Sequence, residues 1–266
     1  MPLLFTTLAL LSSSPAQAEE TIRVGVPEPS GLDYDRANGR VFVADDGGEL
    51  WVLDEDFRRI DVFDLGGDLE GVAWLSGEEL LMVAVEGSEE LLLVDPDSGS
   101  VSQVLEIPRT FRGQTILAEG GNGIETLTVI GSRIFVANQS FDEEDEEDGS
   151  VLVELAFGIA GTLSIVDVHA LPMLDVAGSM FLPQSGELHL VSDMEDTAYR
   201  LKLTTLDALP TGADLPMGAF RSYDLPGEDQ EGICLIDGQV VIAQDSGDLV
   251  DAGPLRDLIG YQRRGL

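Results

Sequence analysis

The chain has 266 residues, with 50 Asp and Glu against 14 Lys and Arg, for a formal net charge of −36 at pH 7. Such a surface repels nucleic acid and anionic membranes, so neither is expected as a partner. A single cysteine, Cys234, allows no internal disulfide, which leaves packing, closure of the sheet ring and a bound metal as sources of stability.

Residues Met1 to Ala18 carry no charge. They run from an apolar stretch, Leu3 to Leu11, into Ser12-Ser13-Ser14-Pro15 and the small-residue triplet Ala16-Gln17-Ala18. An apolar core followed by an A-x-A pattern is what signal peptidase cleaves, and the run is too short to span a bilayer. Residues 1–18 therefore read as a signal peptide, and 19–266 as one exported domain, periplasmic or secreted. Later apolar runs are each cut by Asp, Glu or Gly within a few residues, so no integral membrane segment is expected after cleavage.

From there the pattern is almost all strand. Thr21 to Val26 reads as a strand standing alone. Arg40 to Ala44, Glu49 to Leu53 and Arg59 to Phe63 are short β-prone runs separated by Asp/Gly turns, the spacing of an antiparallel meander. The same unit recurs every ~40–55 residues, a period that indicates propeller blades rather than a solenoid or a sandwich. Its openings are Ser30-Gly31-Leu32, Glu70-Gly71-Val72, Glu125-Thr126-Leu127, Ala177-Gly178-Ser179 and Glu231-Gly232-Ile233. Second strands follow at Val41 to Ala44, Leu80 to Val85, Arg133 to Ala137, Glu187 to Val191 and Gln239 to Ala243. The expectation is an all-β, five-bladed propeller, closed by pairing of the N-terminal strand with the last blade. Six blades are the alternative, but no further period of strand sequence is left over. Helical periodicity is nearly absent, and Leu203 to Leu209 reads as a turn or short 3-10 piece. The acidic run Asp142 to Asp148 cannot bury itself and is placed in a solvated loop.

In a propeller the first strand of each blade lines the axis, so Ser30, Glu70, Glu125, Ala177 and Glu231 should form a ring. Three carboxylates meeting there repel one another, which either keeps some protonated or draws in a cation. Oxygen ligands with no imidazole or thiolate favour Ca2+ over zinc or copper. The alternative is that the acids face channel water as a polar plug. Second strands end in Asp45-Asp46, Glu86, Asn138-Gln139, Ser192-Asp193 and Gln244-Asp245. Of these, Asp45, Glu86, Asn138, Asp193 and Asp245 are expected as a polar rim at one channel mouth, or equally as turn residues at strand ends.

The Ser-Gly-Leu, Glu-Gly-Val-Ala-Trp, Ile-Glu-Thr-Leu and Gln-Glu-Gly-Ile openings, with the turn Val94-Asp95-Pro96-Asp97-Ser98-Gly99, resemble the SdiA-regulated family of bacterial propellers over about residues 27 to 250. That resemblance implies an exported propeller without naming a reaction. The ring is also similar to that of five-bladed calcium-activated nucleotidases, which implies an axial calcium near Ser30, Glu70, Glu125 and Glu231. Ala177 departs from both patterns, since a serine is usual there.

Nucleophile elbows, metalloprotease helices and phosphate-binding loops are missing. His169 and His189 read as structural, Cys234 as a small buried hydrophobe, and Asp148-Gly149 fails as an EF-hand because Leu155 falls where the clamping Glu belongs. Scattered arginines speak against a phosphorylated substrate. The sequence thus favours a calcium-binding envelope protein with a small-molecule or protein ligand. A calcium-dependent hydrolase (phosphoesterase, phytase-like or lactonase) stands as the alternative.

Overall fold

The structure, a computed structural model, describes residues 20–117, 123–139, 149–158 and 161–261. The signal peptide expected at 1–18 and the acidic run Asp142 to Asp148 lie outside them.

Five four-stranded antiparallel sheets account for all the described strands except one short hairpin. After a short strand β1 (Glu20–Ile22), blade 1 comprises β2 (Pro29–Asp35), β3 (Arg40–Asp45), β4 (Glu49–Asp54) and β5 (Arg59–Asp64). Blade 2 comprises β6 (Asp68–Leu75), β7 (Leu80–Glu86), β8 (Glu90–Val94) and β9 (Val101–Glu106). A two-stranded hairpin, β10 (Thr110–Phe111) and β11 (Gln114–Thr115), then leads to blade 3: β12 (Ile124–Ile130), β13 (Arg133–Asn138), β14 (Val151–Phe157) and β15 (Leu163–Ala170). Blade 4 is β16 (Val176–Leu182), β17 (Glu187–Ser192), β18 (Thr197–Lys202) and β19 (Phe220–Asp224). Blade 5 is β20 (Gln230–Ile236), β21 (Gln239–Gln244) and β22 (Asp248–Pro254), with β1 as its outermost strand, Thr21 opposite Val250.

The ring follows from where the apolar surface lies. Middle strands such as Val41-Phe42-Val43-Ala44 and Leu81 to Val85 are buried on both faces, so each blade needs a neighbour on either side. Five separate clusters fill the five blade interfaces. Phe42, Leu50 and Val52 meet Leu69, Leu81 and Val83 between blades 1 and 2. Val41, Trp51 and Leu53 meet Val241, Ala243 and Leu249 between blades 1 and 5. The other three interfaces are built in the same way. The innermost strands β2, β6, β12, β16 and β20 each touch the next, and β20 touches β2.

Three local expectations change. The N-terminal strand covers Glu20–Ile22 rather than Thr21 to Val26, because Gly25 at φ 77° turns the chain inward and buries Val26 beside blade 1. The segment after Lys202 begins with one α-helical turn, α1 (Leu203–Leu206), instead of a 3-10 piece. A helix the sequence did not signal, α2 (Leu255–Tyr261), follows β22 and lays Leu258 and Ile259 on the cluster between blades 4 and 5.

Candidate metal centre

Each innermost strand breaks register with its partner at the ring residue. The shifts fall between Pro29 and Leu32, Leu69 and Val72, Ile124 and Thr126, Val176 and Gly178, and Gln230 and Gly232. A bulge of this kind bends the strand and re-aims a side chain. The glycine after the ring residue has a steric cause. A Cβ on Gly31 would lie 2.2 Å from the Glu70 carbonyl oxygen, and one on Gly232 would lie 2.3 Å from that of Ser30. Gly71 and Gly178 are also crowded, by Leu127 of blade 3 at 2.5 Å and the Glu231 carbonyl of blade 5 at 2.7 Å. The strands thus approach so closely that the neck of the channel keeps only about 10 Å3 of open space, among Gly31, Gly71, Glu125, Ala177, Gly178 and Gly232. That is about the room one water needs.

At the mouth above this neck the carboxylates gather. Ser30 donates its hydroxyl to Glu70 Oε2 at 2.5 Å. Glu70 and Glu125 are buried, at 6% and 8% exposure, and they share a hydrogen bond. Glu70 also bonds Asp68, and one oxygen from each of Asp46, Asp68 and Glu70 fits within 4.8 Å of the others. Burial, reinforced by these neighbours, pushes Asp68 up to about 9 and Glu231 up to about 8. Glu70 rises to about 7 from burial, even though the Ser30 hydrogen bond pulls the other way, and burial beside Glu70 holds Glu125 well above the carboxylate range. The ion pairs among the described residues include none of Asp46, Asp68, Glu70, Glu125 or Glu231. Asp68 Oδ1 is buried with no hydrogen-bond partner among the described residues. An orphaned carboxylate oxygen amid uncompensated acids fits a hard cation with oxygen ligands.

The ring residues therefore differ in what they do. Ser30, Glu70 and Glu125 are linked directly, and Glu231 reaches Glu70 and Glu125 through charge. Ala177, 2% exposed, supplies no side-chain oxygen. Most of the rim residues are strand-end ties. Asp45 accepts from Glu28 N at 2.8 Å, Glu86 from Gly123 N at 2.6 Å, Asn138 from Val151 N at 2.7 Å and Asp193 from Gln230 N at 2.6 Å. Asp245 is exposed and acts on Glu231 through charge, as do Asp193 and Asp175. The mouth carboxylate that the sequence did not single out is Asp68, two residues before Glu70 on the same strand. That spacing puts residues on one face of a strand and was the available signal.

The histidines sit apart. His169 Nδ1 contacts the Ala213 carbonyl at 2.8 Å, and fully buried His189 contacts the Tyr223 hydroxyl at 2.9 Å. Cys234 is 5% exposed, with its thiol 3.9 Å from Asp33.

No family model and no curated protein matches the sequence. The fold does have solved counterparts. One is a protein provisionally named a gluconolactonase, 13% identical, with a TM-score of 0.54 over 89% of this chain and 93% of that one. Another is the Cps50 (Swd1) β-propeller domain of Myceliophteria thermophila, 13% identical, with a TM-score of 0.44 over 85% of this chain and 65% of that one. At such identity the first likeness shows a shared propeller fold.

Proposed function

We propose that the chain is an exported, calcium-binding propeller of the cell envelope, a scaffold of the SdiA-regulated type for a small-molecule or protein ligand. Asp46, Asp68 and Glu70 hold the cation, while Ser30 orients Glu70 and Glu125 and Glu231 complete the negative field. Ala177 leaves one side of the ring free for water or ligand. The observation that carries this reading is the Asp46–Asp68–Glu70 group, drawn from two blades within 4.8 Å, with an orphaned oxygen. Oxygen-only donors of this kind suit Ca2+, which tolerates irregular shells completed by carbonyls and water.

Titrating Ca2+ into chelator-treated protein should raise the melting midpoint by roughly 5 °C once free calcium exceeds the dissociation constant a hundredfold. Asp68→Asn and Glu70→Gln should each abolish most of that rise. A midpoint unmoved by millimolar Ca2+ in the unaltered protein would sink the reading. Export is tested separately, because N-terminal sequencing of secreted material should begin at Glu19.

A calcium-dependent hydrolase is the second reading, and the fold shared with a provisionally named gluconolactonase is what favours it. A bound cation with one open side can polarise a carbonyl or phosphoryl oxygen. A panel of lactones and phosphate esters, with Glu70→Gln as control, should show calcium-dependent turnover if this second reading holds.

A further inference from the structure

Below the neck the channel opens at the opposite mouth into a funnel of about 400 Å3, within the size range of ligand sites. Its wall is contributed by all five blades, and Leu32, Val72, Leu127, Met180, Ile233 and Leu235 make up its aliphatic part. The first five of these are nearly inaccessible outside the funnel, at 7% exposure or less. Polar side chains share the wall: Asp33, Tyr34 and Arg36 from blade 1, Thr128 from blade 3, and Ser179 and Gln184 from blade 4. Thr128 Oγ1 and Ser179 Oγ lie 2.7 Å apart across blades 3 and 4, and both line the funnel. Whichever hydroxyl accepts in that pair still has its own O–H to donate, so the pair offers one donor to an occupant.

Charge narrows the class of occupant. Asp33 lines the wall, but both its oxygens already accept, from Tyr34 N at 2.7 Å and Trp74 N at 2.7 Å, so it is engaged with the backbone rather than free to pair with a cation. An anionic ligand would meet Asp33, Asp237 beside Tyr34, and the field of a chain at −36, opposed at this mouth by Arg36. We propose that this lower funnel is a binding site for a small neutral molecule with an apolar body and one carbonyl or hydroxyl oxygen, seated with that oxygen at the Thr128–Ser179 pair. The site is separated from the carboxylate mouth by the closed neck, so the proposal stands or falls independently of calcium.

The test uses the full chain and the neutral naphthalene ketone prodan, which carries an apolar ring and one carbonyl. Expected is saturable binding at one site per chain, with blue-shifted emission. Ser179→Phe and Leu235→Trp fill the funnel from different blades and should each weaken binding at least tenfold with melting midpoints unchanged. Thr128→Val removes a hydroxyl without adding volume and should weaken it about threefold or more. If Ser179→Phe destabilises the fold, Leu235→Trp and Thr128→Val decide. Glu70→Gln, at the other mouth, should leave prodan binding as it is. Emission that rises without saturating, or equal affinity in the filled and unfilled proteins, overturns the proposal.

Discussion

Burial sets the protonation of the polar side chains here more than pairing does, and the sign of the effect differs by residue type. His189 is fully enclosed, and desolvation, with Arg200 nearby, lowers it to about 3. The unfolded chain takes up its proton near pH 6.5, whereas the folded chain refuses it. The corresponding stability is present above pH 6.5 and is lost as pH falls toward 3, by roughly 3 kcal/mol between pH 7 and pH 4. Glu231, pushed up to about 8, has the opposite sign: its contribution is lost as pH rises through about 8. A comparison with a variant separates the two. His189→Gln should flatten the fall in urea midpoint between pH 7 and pH 4, and an unchanged slope would show that His189 is not the group concerned. At this scale the sequence was informative about Glu70, Glu125 and Glu231, because equivalent repeat positions share an axis. Asp68 was passed over: its spacing from Glu70 was the one hint, and an acid at the start of a strand reads equally well as a turn residue.

Among elements, the decisive feature is the bulged innermost strand with its glycine. Gly31→Ala would drive a methyl group into the backbone of the neighbouring blade, where no side chain can move aside. It should lower stability by about 3 kcal/mol or more in denaturant unfolding. Gly77, in the exposed turn between β6 and β7, has nothing within 4 Å of the place a methyl group would take, and its alanine variant should change stability by less than about 1 kcal/mol. Equal losses in the two variants would show that the close approach of blades does not require glycine. The glycines themselves were visible in the sequence as a recurrent second letter. The bulges were not, because a register shift depends on how a partner strand is offset and leaves no pattern of its own. Helix α2 escaped notice for a similar reason: seven residues show too little periodicity, and its apolar side chains acquire a partner only once blades 4 and 5 meet.

For the whole molecule, the outermost position of blade 5 is the point of weakness. It is filled by β1, three residues paired with Leu249, Val250 and Asp251. Removing residues 1–22 would expose the edge of β22, a strand whose Leu249 and Val250 are buried. The truncated protein should melt at a lower temperature and self-associate in size-exclusion chromatography, since an open edge is a template for pairing. A truncated chain that stays monomeric with an unchanged midpoint would show that β1 is dispensable to the ring. The period of strands, the acidic composition and the identity of the ring residues were all determined by the amino-acid order, because each is a local or repeating property of the chain. The narrow neck, the pairing of Asp46 with Asp68 and the separation of an acidic mouth from the funnel opposite arose only in the folded ring. They are distances between blades, and no single blade contains them.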